Sequence, residues 1–208
     1  TPFSDDLPWC MVPEKKITVE DVKYVLSSHY QGTPYDPYAS YGDKTMCGAY
    51  RSIGINRNDV MTLIQMRPEG EPIQWLAFAS NAFNVLAPFY TDMDTTPGYL
   101  SGTNGKVSTE NFYWMSRMIA AMADASYSKS VFHIERYQEK VAAKSHELLN
   151  RYDTLLEQET DEEKRKKLQE EANEKIAGML QCEAADTLDK VLYELSGQMK
   201  NAYARSDA

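Results

Sequence analysis

The chain offers sulfur, hydroxyl and imidazole groups that could attack a carbonyl, and their surroundings decide which of them can act. Cys47 and His29 supply the thiol and the ring of a thiolate-imidazole pair, a device that needs the thiol activated beside the imidazole, usually at a helix N-terminus. Cys47 instead opens a predicted strand with no local signature around it, so it reads as a packing residue. Cys10, set among Pro8, Trp9, Met11, Val12 and Pro13, reads the same way. Thr1 could act as an amino-terminal nucleophile only at the start of a buried strand, with its own α-amine as base. Pro2 follows it at once, and residues 1–13 hold three prolines and no alternating pattern, so a cleavage or cloning boundary is the plainer reading. Cys10, Cys47 and Cys182 form an odd, widely spaced set without a CxxC pair. That supports neither a disulfide framework nor a zinc site and suits a reducing, cytoplasmic setting, with no metal or cofactor expected.

These residues must be positioned by a scaffold, and the scaffold is legible as α+β. Residues 47–90 are rich in β-branched and aromatic side chains and break at Asn56-Arg57-Asn58, at Pro68-Glu69-Gly70-Glu71-Pro72 and at Ser80-Asn81-Ala82. Turn chemistry at those breaks predicts a meander of consecutive short strands, hence an antiparallel sheet rather than a nucleotide-binding parallel one. Ahead of it, Thr18 can cap a helix running to about Ser28, with Val19, Val22, Val25 and Leu26 as its apolar positions. Residues 32–43 follow as a Pro, Gly and Tyr-rich loop, long enough to be functional. Residues 92–105 form a second loop dense in Thr, Pro, Gly and Asn.

From Ser108 the period becomes helical, with Phe112, Met115, Met118, Ile119 and Met122 on one face. A second helix from about Ser130 carries Ile134, Tyr137, Val141, Leu148, Tyr152 and Leu155. Near Glu159 it stops, and Thr160 with Glu163 makes a capping-box signature for a third helix, bearing Leu168, Ala172, Ile176, Met179, Leu188, Val191, Leu192, Leu195 and Met199. The expected division is a sheet-and-helix part over residues 1–126 and a helical hairpin over residues 127–208. The hairpin's apolar stripes would cover the sheet or each other; an exposed portion would join subunits in a homo-oligomer.

A formal net charge of -9 argues against nucleic acid, which needs a concentrated basic face. The basic run of residues 164–167 is short, and within residues 157–175 eight acidic side chains outnumber five basic ones, as on a solvated helix surface. No stretch approaches the roughly 20 apolar residues of a membrane helix, so no membrane partner is expected. Fourteen tyrosines suit sheet-helix boundaries or a lined groove, where rings pack and hydroxyls find partners.

Six strings bear a more specific message: HYQGTPYDPY from His29, YRSIGINR from Tyr50, MRP from Met66, QWLAFASNAFNVLAPFYTDM from Gln74, TPGYL from Thr96 and NFYWMSR from Asn111. In this order they resemble the dipeptidase A group, secernin-related members of the N-terminal-nucleophile hydrolases. The resemblance implies a cysteine-dependent dipeptidase whose sheet is one layer of an αββα sandwich. Members of that group begin the mature chain with the attacking cysteine, whereas this chain begins Thr1-Pro2-Phe3, and the matching strings correspond to the later part of the group's chain. The resemblance therefore implies a C-terminal piece with its nucleophile elsewhere, no catalytic residue of its own and no activity by itself.

A dipeptide substrate would bring one ammonium and one carboxylate. Arg51, expected in a strand between Tyr50 and Ser52, has the guanidinium fork that grips a carboxylate with two hydrogen bonds; an outward-facing arginine is the plain alternative. Asn81 and Asn84 could polarise a carbonyl or merely build a turn. His29 and Asp36 flank the Tyr-rich loop and could line a substrate mouth. If half of a sandwich lies elsewhere, apolar sheet surface around Trp75 and Phe78 should be uncovered unless another copy or the hairpin shields it. A different class of function, a non-catalytic interaction or scaffold domain using the hairpin, stays open on these residues alone.

Overall fold

In a computed structural model of the chain, which describes residues 4–39 and 42–200, Thr18 caps helix α1 (Val19–Leu26) as its position predicts. The Asp21 backbone N–H donates to Thr18 Oγ1 at 3.1 Å, and the Thr18 N–H donates back to Asp21 Oδ2 at 3.0 Å. This reciprocal box satisfies two donors that a helix start otherwise leaves bare. Thr1 lies outside the described residues. The chain divides into two compact units, one ending at Ile55 and the other starting at Asn56.

The first unit contains α1 and a long irregular segment. No strand forms over residues 47–59, which corrects the expectation that the meander begins at Cys47. Gly48 sits at φ +67°, a left-handed conformation that breaks an extended run. Gly54 donates its N–H to the Ser28 carbonyl at 2.8 Å. A Cβ on Gly54 would lie 2.5 Å from the Ser27 carbonyl oxygen, so only glycine allows this backbone to rest against the end of α1.

In the second unit, β1 (Val60–Gln65), β2 (Ile73–Phe78) and β3 (Ala87–Tyr90) form an antiparallel sheet in the order β1-β2-β3. The register pairs Leu63 with Trp75 and Ile73 with Tyr90. The turns fall where the Pro-Glu-Gly-Glu-Pro and Ser-Asn-Ala strings predict. Met61, Ile73, Trp75, Ala77 and Tyr90 share one face and are buried, and helix α3 (Tyr127–Gln158) covers it. The Trp75 ring packs on His146 at 5.6 Å between centroids, and Tyr90 Oη donates to Asp153 Oδ1 at 2.9 Å. Trp75, at 3 % exposure, is thus shielded by the hairpin helix α3, and Phe78 packs against Phe112 and Tyr113 of helix α2 (Phe112–Ala125).

Asn111 caps α2 by accepting from the Trp114 N–H. A break at Ser126 separates α2 from α3, and Ser126 Oγ returns to the Met122 carbonyl at 2.8 Å. The hairpin partner of α3 is α4 (Glu162–Ser196). Its cap is Asp161, accepting from the Lys164 N–H at 3.0 Å, one residue beyond the Thr160 expected. On α3 the buried stripe is Ile134, Tyr137, Val141, Leu149, Tyr152 and Leu156; Leu148 and Leu155 fall beside it because a straight 3.6-residue helix drifts off a seven-residue spacing. Helix α4 packs on α3, α2 and β3, and Ala172, Ala177 and Ala184 are buried along it. Small side chains permit that close three-sided approach. No helix among the described residues is long and apolar enough to cross a membrane.

Candidate active site

The excursion after α1 is organised around Asp36. Its Oδ1 accepts from the His29 ring at Nδ1 and from the Tyr38 N–H, each at 3.0 Å, and both side chains are buried. Facing a carboxylate, Nδ1 carries the proton of this bond. The His29 ring also meets Tyr38 edge-on at 5.4 Å. Tyr35 packs against Tyr30 and Tyr50 at 6.4 and 5.0 Å. Tyr30, at φ +64°, is a non-glycine residue in the left-handed region, a conformation that costs on the order of 1–3 kcal/mol and persists where surrounding contacts impose it.

The Cys47 thiol donates to the Asp36 carbonyl at 3.0 Å, with the Pro37 carbonyl 3.3 Å away. Cys47 thus holds the loop together and does not open a strand. Arg51 needs the same correction. It occupies an irregular, exposed stretch, and its main-chain carbonyl accepts from Tyr30 Oη at 3.1 Å. A guanidinium on such a segment is presented by a loop rather than fixed by a ladder.

In the second unit the turn after β2 collects buried polar groups. Ala79 stands at φ +64° and its N–H donates to the Asp59 carbonyl at 2.8 Å. The Asn84 carboxamide donates from Nδ2 to the Ala79 carbonyl at 2.9 Å and to Asn81 Oδ1 at 3.3 Å. From α3, Gln138 Nε2 donates to the Ala82 and Asn84 carbonyls at 3.1 and 3.0 Å. Ser80, Asn81 and Asn84 are all buried. Asn84 therefore builds the turn, while its bond to Asn81 Oδ1 sets the orientation of the Asn81 amide, whose N–H groups are the kind of donor that polarises a carbonyl.

The predicted residues form two clusters, His29 with Asp36 in one unit and Asn81 with Asn84 in the other. Gln138 has no sequence signal, since it acts on carbonyls more than fifty positions away. Cys47 was visible as a residue but not as the partner of Asp36. Among the described residues no group of three or more His, Cys, Asp or Glu side chains could hold a metal ion.

The description of Peptidase family C69 matches residues 1–140, and the chain belongs to that family. It is 39% identical over 247 residues to a dipeptidase of Bifidobacterium longum (strain NCC 2705), covering 99% of this chain and 46% of the relative. It is 43% identical over 211 residues to a probable dipeptidase A of Streptococcus pyogenes serotype M3 (strain SSI-1), covering 99% of this chain and 44% of that protein. Against dipeptidase A of Lactobacillus helveticus the identity is 33% over 203 residues, 96% of this chain and 41% of the relative. The chain spans less than half the length of these relatives.

Proposed function

We propose that this chain is the substrate-holding portion of a cysteine dipeptidase. The observation that carries the reading is the match along 99% of the chain to proteins named dipeptidase. In the complete enzyme a cysteine at the mature amino terminus, outside these 208 residues, attacks the dipeptide carbonyl. Its own α-amine, with an unperturbed pKa of about 7.7–8.0, takes the thiol proton and passes it to the leaving amine. Water then hydrolyses the thioester, releasing the second amino acid and restoring the thiol. The sheet of this chain forms one layer of an αββα sandwich, and free thiols at Cys10, Cys47 and Cys182 suit a cytoplasmic enzyme.

Each cluster then has a role within this reading. Asn81 polarises the carbonyl under attack, and Asn84 with Gln138 positions it. Arg51 receives the substrate carboxylate, and the His29-Asp36 pair shapes the loop at the substrate mouth. The test is a comparison of dipeptides, tripeptides and carboxyl-amidated dipeptides with the complete enzyme. Hydrolysis confined to free dipeptides and abolished by thiol alkylation supports the reading; preference for longer peptides, or indifference to alkylation, refutes it. Within it, Asn81→Ala lowers kcat and Arg51→Ala raises KM. An Arg51→Ala enzyme with unchanged kcat/KM removes Arg51 from the site.

A further inference from the structure

The two edges of the sheet are treated differently. At β3 the Asn173 carboxamide of α4 takes the place of a neighbouring strand: the Tyr90 N–H donates to Asn173 Oδ1 at 2.9 Å, and Asn173 Nδ2 donates to the Tyr90 carbonyl at 3.0 Å. Tyr90 therefore points its backbone groups away from β2. Antiparallel pairs alternate between bonded and non-bonded, so its partner Ile73 turns its own groups toward β1, and Gln65, Leu63 and Met61 bond to β2. The Ala79 N–H bond to the Asp59 carbonyl falls on the same alternation. Consequently Val60, Thr62 and Ile64 direct three N–H and three C=O groups outward, where no strand among the described residues pairs with them.

This edge carries none of the protections that a strand's own sequence can supply. Its sequence, Val-Met-Thr-Leu-Ile-Gln, contains no charge, proline or glycine, and Val60 and Ile64 are each 55 % exposed, with Met66 at 73 %. A bare, uncharged, β-prone edge of this kind is a template for indiscriminate pairing, which natural sheets avoid. We propose that β1 receives a further strand, supplied by the remainder of the complete polypeptide. The relatives' length supports that donor over a second copy of this chain, because more than half of each relative lies outside the match. The proposal rests on the reading of the chain as part of a longer dipeptidase.

Hydrogen exchange resolved to single amides in the complete enzyme tests it. Val60, Thr62 and Ile64 are expected to exchange within about tenfold of Met61, Leu63 and Gln65, independently of protein concentration; outward amides exchanging on the order of a hundredfold faster than the inward three overturn the proposal. Thr62→Pro removes one outward main-chain donor and no main-chain bond to β2, while also losing the side-chain bond that Gln74 Nε2 donates to Thr62 Oγ1 at 3.1 Å. It should accelerate exchange at Val60 and Ile64 while Met61, Leu63 and Gln65, which report that the hairpin is folded, stay slow; unchanged exchange at Val60 and Ile64 overturns the assignment. Protection that appears only at high concentration identifies a second copy and also overturns it. Dipeptide hydrolysis assayed in the same preparation separates the two claims. Fast outward amides in an active dipeptidase sink the edge pairing alone, whereas slow ones in a protein inert toward dipeptides sink the functional reading alone.

Discussion

Arg67 and Asp153 meet fork to fork across 86 residues of sequence, with Nη1 to Oδ2 at 2.6 Å and Nη2 to Oδ1 at 2.9 Å. Asp153 Oδ1 also accepts from Tyr90 Oη at 2.9 Å, and Arg67 Nε donates to the Glu71 carbonyl at 2.7 Å. One carboxylate on α3 thus ties the β1-β2 turn to β3. Arg165 extends the tie from α4 by pairing with Glu71. Asp153→Ala, which strips a partly buried guanidinium and a phenol of their acceptor, should lower stability by about 2–3 kcal/mol, against about 1 kcal/mol for Tyr90→Phe. Urea unfolding of the two single variants and the double variant measures this. Additive losses would deny that the groups act together.

Asn173 presents a second dependence between residues far apart in sequence. Tyr90 is fully buried, so Asn173→Leu leaves one backbone donor and one acceptor without partners, a loss of about 2–3 kcal/mol. Asn173→Asp keeps an acceptor for the Tyr90 N–H but sets a carboxylate against the Tyr90 carbonyl, and should be at least as damaging. Chemical denaturation checks both; a leucine variant as stable as the parent would show that the edge is satisfied in another way.

The Asp36 cluster predicts thiol reactivity. Cys10 and Cys182 are exposed, whereas Cys47 is partly covered and donates to carbonyl oxygens. Titration with an aromatic disulfide should show two fast thiols and one slow thiol. Asp36→Ala removes the acceptor shared by His29 and Tyr38 and should bring the third thiol close to the rate of the others, together with faster proteolytic cutting within residues 30–50. Three equally fast thiols in the parent would contradict the arrangement.

Lys23 gives a pH signature. It is half-buried on α1, donates to Ser27 Oγ at 2.9 Å, and burial lowers its pKa from 10.5 to about 7. Between those values the unfolded chain binds more protons than the folded one, so stability rises with pH across that window, by at most about 1.4 kcal/mol per pH unit, and is reduced as pH falls through about 7. Thermal unfolding of the parent at pH 7 and pH 9 should show a higher Tm at pH 9, and Lys23→Met should flatten the difference. A parent Tm that falls over this range, with Lys23→Met falling in parallel, would rule out Lys23 as the source.

Local patterns disclosed the elements whose determinants are local. Thr18 before a 3.6-period run marks α1, and the Pro-Glu-Gly-Glu-Pro turn marks the hairpin of β1 and β2. Residues 47–55 misled because Tyr50, Ile53 and Ile55 carry strand propensity, which measures fit to a pleated, half-buried surface rather than a backbone command. Here tyrosine rings and left-handed glycine satisfy them without a ladder. On α3 the periodicity was right for two turns and then drifted by one residue, which moved Leu149 and Leu156 inward in place of Leu148 and Leu155. His29 and Asp36, seven positions apart, could be suspected together. No local feature could announce Gln138 at the Asn84 turn or Asn173 at Tyr90, because each needs the tertiary fold to exist first.

The contact of Gly54 with Ser27 and Ser28 has a mechanical meaning for the segment it closes. Everything between those positions, including the aromatic cluster and the His29-Asp36 bond, is drawn shut at a neck where main chain touches main chain. A segment gathered in this way is a closed loop whose two ends are held by direct main-chain contact. Widening that neck, as any side chain at position 54 must do, would part the two stretches of main chain that close the loop.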